Sequence, residues 1–118
     1  MDVSSKKVKG YVIESGADLS GADLSGADLT EADLARANLR GADLTRADMW
    51  GVKLFGADLS RADMLGTKLS SADLSCAQLI TANMDKAEQS GADRSSRESG
   101  EIEQTSTADR ESRQTQQT

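Results

Sequence analysis

Between residues 17 and 84 the large apolar side chains recur at every fifth position, from Leu19, Leu24 and Leu29 through to Leu79 and Met84, and all fourteen of these positions are Leu or Met. Two residues before each stands a small one, Ala in twelve of the fourteen cases and Val52 or Thr67 in the others. Asp or Asn usually fills the place between, and Gly or a polar residue fills the rest. A helix repeats every 3.6 residues and a strand every 2, so a period of five would wind Leu around the whole surface of a helix or alternate it between the two faces of a strand. The glycines at 16, 21, 26, 41, 51, 56 and 66 weaken a helix further, by roughly 1 kcal/mol each relative to Ala. The pattern predicts a chain that turns once per pentad and keeps Leu and Ala pointed inward.

The run "GADLSGADLTEADLARANLRGADLTRADM" is built from A-[DN]-[LM]-x-x in tandem and resembles the pentapeptide-repeat family over residues 16–85. The resemblance implies an all-β solenoid, a right-handed quadrilateral β-helix in which four pentads make one square coil. Fourteen pentads then make about three and a half coils. Physical chemistry agrees with that geometry: Ala fits where backbones approach closely, Leu and Met fill the remaining volume, and stacked coils let buried amides pair with their neighbours.

The flanks read differently. Residues 1–15 hold one apolar cluster, Val8, Tyr11, Val12 and Ile13, expected to form an N-terminal cap or a short strand over the first coil. In residues 86–118, Gln89 and Arg94 fall where Leu belongs, a decayed repeat, and the polar sequence beyond predicts a disordered tail. The apolar C-terminal edge near Leu79 and Met84 needs a cover. Either a short helix over residues 84–89 or a second rod would supply one.

The chain has 118 residues and a net charge of −6, divided as +1 over residues 1–16, −4 over 17–84 and −3 over 85–118. No region is basic enough for direct nucleic-acid binding. Without a signal-peptide run or an apolar stretch of about 20 residues, a cytoplasmic protein with no membrane contact is expected. Cys76 is the only cysteine and there is no histidine, so the usual zinc sites, histidine bases and serine triads lack their parts. Neither a cofactor nor an enzymatic activity is expected, and Cys76 reads as a passive surface thiol.

With twenty residues per coil, side chains twenty apart stack in columns. Only the column Asp23, Asp43, Asp63 keeps three aspartates in succession; the others are interrupted by Asn38, Lys68 or Lys53. Trp50 and Phe55 follow the centres Met49 and Leu54 at outward positions, with Leu65 and Ile80 as further outward apolar residues. Exposed aromatics are enriched at interfaces, so Trp50, Phe55 and Leu65 are candidate contacts for a protein partner. The sequence thus points to a rigid, non-enzymatic scaffold or interaction module. The resemblance implies an alternative, since some relatives protect DNA gyrase from quinolones and are thought to imitate duplex DNA; Asp23, Asp43 and Asp63 would be the mimicking strip. Those relatives dimerise through their C-terminal ends, so a homodimer formed there is a further expectation.

Overall fold

The computed structural model describes residues 6–95. It opens with an antiparallel hairpin, β1 (Lys6–Val8) paired with β2 (Tyr11–Ile13) in the register Val8 opposite Tyr11. Lys9 and Gly10 form its two-residue loop at φ 54° and 87°, the doubly positive geometry that matches the twist of the flanking strands. Strand alternation turns Ile13 into the core at 2% exposure and sends Val12 outward at 41%, so Val12 is not part of the packed cap.

From residue 16 the chain is a right-handed quadrilateral β-helix. Parallel bridges link residues twenty apart on four faces: Asp18 to Asn38 to Asp58 to Gln78; Asp23 to Asp43 to Asp63 to Asn83; Asp28 to Asp48 to Lys68 to Glu88; and Asp33 to Lys53 to Asp73 to Asp93. The bridges at Glu88 and Asp93, and the bond from Cys76 N–H to Ser95 C=O, carry the coil to residue 95, ten residues beyond the repeat segment expected to end at 85. The helix expected over residues 84–89 is absent: this stretch is another pair of turns, with Glu88 N–H donating to Thr67 C=O at 2.9 Å. The rest of the expected tail, residues 96–118, lies outside the described residues.

The pentad centred on Leu44 accounts for all five of its amides. Asp43 N–H donates to Ala22 C=O in the preceding coil, while Leu44 and Arg46 donate to Asp63 and Leu65 in the following one, each at 2.8 Å. Ala42 N–H closes the preceding corner onto Leu39 C=O at 3.0 Å. The fifth, Thr45 N–H, has no backbone partner in this scheme and donates to Asp43 Oδ1 at 3.0 Å. Only the third residue of each corner has positive φ, as in a type II turn, which explains Gly there; Arg36, Arg46, Arg61 and the β-branched Thr81 take that conformation without Gly's freedom.

All fourteen Leu/Met centres are buried, and so are the small residues two before them except half-buried Ala17 in the first coil. Thr67 fits this interior because its hydroxyl donates to Met64 C=O at 3.0 Å. In the last coil Gln89 and Arg94 take the inward places half-buried, and Arg94 Nη1 donates to Gln89 Oε1 at 3.0 Å. A polar pair therefore stands at the C-terminal mouth of the core.

Candidate interaction surface

The repeated aspartates are first of all backbone acceptors. Oδ1 of Asp18, Asp23, Asp28, Asp33, Asp43, Asp48, Asp58, Asp63, Asp73 and Asp93 accepts the N–H two residues on, and Asn38 and Asn83 do the same with their amide oxygens. Where Ser or Thr follows, its hydroxyl often donates to the same oxygen, as Thr45 does to Asp43 at 2.6 Å. These bonds favour the ionised form. The Ser20 hydroxyl and amide hold Asp18 below the usual carboxylate range, the Thr30 pair does so for Asp28, and the Ser95 amide and hydroxyl for Asp93. For Asp58 partial burial opposes ionisation, but Ser60 and the Arg40 guanidinium at 3.2 Å outweigh it and the carboxyl is lowered as well.

The three acids singled out by sequence do share one face in consecutive rungs. The strip is closed at both ends. Above, Lys9 Nζ stands 3.7 Å from Asp23 and donates to Ser25 C=O at 2.9 Å, while Tyr11 Oη accepts Asp23 N–H at 3.3 Å. The Ser25 hydroxyl and amide, with Lys9, hold Asp23 below the usual carboxylate range. Below, Asn83 replaces the acid and donates its Nδ2 to Asp63 Oδ1 at 3.2 Å. The hairpin thus supplies partners that the first coil, with no coil before it, would otherwise lack.

The outward apolar residues do not form one patch. Counting by twenties places Ile80 below Arg40 and Ser60, Leu65 below Thr45, Trp50 below Thr30, and Phe55 below Ala35, four separate columns. Leu65 is half-buried on the corner before that of Trp50, and exposed Ile80 lies on the corner after that of Phe55, each one coil further down. Trp50 and Phe55 remain together: they bracket one face of the same coil, exposed at 47% and 39%, with exposed Lys53 between them. The Arg36 guanidinium lies over the Phe55 ring, 5.5 Å from its centroid. Lys68 occupies the rung below Asp48, diagonal to Trp50. This edge therefore sets two aromatics among mixed charges, with Arg36, Lys53 and Lys68 interleaved with Glu31, Asp33, Asp48 and Asp73.

Sequence reading located the aromatics but missed the stacked arginine. The signal was available, since Arg36 falls one residue and one coil from Phe55 in the twenty-residue register. Cys76 is exposed at one of the positive-φ corners. Among the described residues no helix is long and apolar enough to cross a membrane.

Comparison with known proteins agrees with this geometry. The family model described as pentapeptide repeats matches residues 15–51 and 51–85. The chain is similar to the crystal structure of a pentapeptide repeat protein from Nostoc PCC 7120, at 35% identity over 68% of this chain and 75% of that one, with a TM-score of 0.64. It is also similar to a pentapeptide repeat protein from the Arabidopsis thaliana thylakoid lumen, at 36% identity over 70% of this chain, spanning 58% of that protein, with a TM-score of 0.44. QnrB1, a plasmid-mediated fluoroquinolone resistance protein, is 24% identical over 65% of this chain and 60% of that one, with a TM-score of 0.15, a likeness that carries no argument about function. A comparison with curated protein sequences gives no match. Fourteen pentads in sequence, four bridged faces in structure and a family match over residues 15–85 agree: the chain belongs to the pentapeptide-repeat family.

Proposed function

We propose that this protein is a rigid, non-enzymatic scaffold that engages a protein partner through the Trp50–Phe55 edge. The observation that carries the reading is the pairing of two large exposed aromatics across one face, with a third group, Arg36, fixing one ring. Aromatic side chains with few rotatable bonds and neighbouring basic groups are the usual anchors of protein interfaces. The carboxylates that dominate the composition are, by contrast, engaged in holding turns. Replacing Trp50 and Phe55 together by Ser should remove partner capture while leaving the coil folded, because both side chains lie outside the core. Unchanged capture by the folded double variant would overturn the reading.

A second reading, a DNA-mimicking protein that binds or protects a gyrase-like enzyme, draws on the consecutive Asp23, Asp43 and Asp63. Lys9 and Asn83 confine that strip to three rungs, which favours the first reading. Asn substitution at all three positions keeps the turn acceptor and removes the charge. A gyrase supercoiling assay with and without quinolone, insensitive to both the native and the triple-Asn protein, excludes the mimic. A homodimer formed through the C-terminal end of the described coil would meet the polar Gln89–Arg94 pair there.

A further inference from the structure

The face between Trp50 and Phe55 is complementary to itself in charge and in size. Its bridged residues run Asp33, Lys53, Asp73, Asp93 down successive coils, so a lysine and an aspartate occupy the two middle rungs. Asp73 Oδ1 accepts Ser75 N–H at 3.0 Å, which leaves Oδ2 for an outside partner. Among the described residues neither Lys53 nor Asp73 forms an ion pair. Glu31 N–H donates to Trp50 C=O and Gly51 N–H to Ser70 C=O; likewise Arg36 N–H donates to Phe55 C=O and Gly56 N–H to Ser75 C=O. Each exposed aromatic therefore stands one rung above a serine. The two large side chains flank the lysine rung, and the two small ones flank the aspartate rung.

A two-fold axis lying across the face between these rungs, with the rods antiparallel, brings the lysine rung of one copy against the aspartate rung of the other. Lys53 then meets the second copy's Asp73 twice over, and Trp50 and Phe55 of each copy lie over the other's Ser70 and Ser75. Asp33 comes level with the second copy's Asp93, and Arg36, in the same pentad as Asp33, stands beside that acid pair. Parallel rods would instead oppose like charges on every rung, which disfavours association. An axis one rung higher pairs Lys53 with Asp33 but leaves the Asp73 and Asp93 rungs without coil rungs opposite.

We propose that the partner taken by the Trp50–Phe55 edge is a second copy of this chain, bound antiparallel with Lys53 of each copy paired to Asp73 of the other. This rests on the preceding reading of the edge as a binding site and names its occupant. Asp33 and Asp93 are only ~14 Å apart at the inter-strand spacing. The contact thus falls at the small end of specific interfaces, and the dimer dissociates on dilution.

Sedimentation velocity over a range of concentrations, with acrylamide quenching of Trp50, the only tryptophan, reads association and burial of the edge together. The native chain is expected to pass from monomer to dimer as concentration rises, with a several-fold fall in quenching. Lys53→Asp and Asp73→Lys should each remain monomeric, since either makes the facing charges alike. Both variants should keep the coil, because aspartate and lysine already occupy this column. Their equimolar mixture should recover the dimer, as each supplies the charge that the other lacks. A native chain that stays monomeric at every concentration, a dimer that survives both single variants, or a mixture that fails to associate overturns the proposal. Loss of the dimer in Lys53→Asp with retention in Asp73→Lys overturns the register and assigns the acid to Asp33. A monomeric native chain that captures a different protein, with capture lost in the Trp50/Phe55 double variant, overturns the second copy and leaves the scaffold reading standing. A dimer unchanged by that double variant overturns the edge itself.

Discussion

Aspartate in each pentad does two things at once, and they differ in consequence. As an acceptor it completes the amide set of its own turn; as a charge it decorates the surface. Only the first depends on its Oδ1 geometry, and Asn38 and Asn83 show that an amide oxygen serves equally. Lys53 and Lys68 carry donors only, so their turns give up this bond. It follows that Asp43→Asn should leave the urea midpoint nearly unchanged, whereas Asp43→Ala, which strands Thr45 N–H, should cost about 1 kcal/mol. Equal losses in the two variants would mean that charge, not acceptance, is what matters at this position. At this scale the sequence disclosed side-chain direction well, because a five-residue register assigns inward and outward without ambiguity. Aspartate in a turn is expected to bond local backbone, but which amide it takes, that of the residue two after it, depends on the backbone angle at the corner.

The pentad as an element explains the placement of glycine. Every corner needs positive φ at its third residue, and a long side chain placed there folds over the corner of the following coil. Glu31 Cγ lies 3.2 Å from where a Cβ on Gly51 would stand, and Arg46 Cγ lies 3.4 Å from that of Gly66. Glycine and side-chain-bearing residues alternate down the columns Glu31, Gly51, Ser71, Gly91 and Gly26, Arg46, Gly66, Lys86, although Arg61 is followed by Thr81 in another. Gly41, at the same φ of 67°, meets nothing within 4 Å. Gly41→Ala should therefore cost only the conformational term, about 1–2 kcal/mol, and Gly51→Ala should cost measurably more. Thermal denaturation of the two single variants checks the order, and Gly41→Ala proving the more damaging would contradict the corner-stacking account. The alternation was present in the sequence but could be interpreted only after the direction of the corner side chains was known. The same limit applied at the C-terminal end. Gln89 and Arg94 looked like decay, yet Ala87 and Ala92 keep the coil turning while the two polar side chains meet inside it.

For the whole molecule, stability and the proposed partner contact rest on different residues. The coil is held by interior Leu, Met and Ala together with turn-capping carboxylates, and the latter give it a direction of pH dependence. Asp18, Asp23, Asp28, Asp58 and Asp93 are all lowered in the folded state. Their contribution is complete above the unfolded carboxylate value, about 3.9, and is lost as pH falls through the lower folded values. Urea midpoints should be level from neutral pH down to about pH 5 and then decline progressively, with no gain on acidification. A midpoint that rises below pH 4 would show that mutual repulsion of the acidic columns outweighs their bonds to the backbone.

The proposed contact lies on departures from the repeat, which the sequence revealed as residue types but not as a shared surface. Trp50 and Phe55 proved to bracket one face, while Leu65 and Ile80 proved to belong to others. The most direct measurement compares partner capture from the source cell by three folded proteins: the native chain, the double variant Trp50→Ser with Phe55→Ser, and the triple variant of Asp23, Asp43 and Asp63 to Asn. The account predicts that the triple variant captures the same partner as the native chain and that the double variant loses it. Loss in the triple variant with retention in the double would contradict it and place the function on the acidic strip.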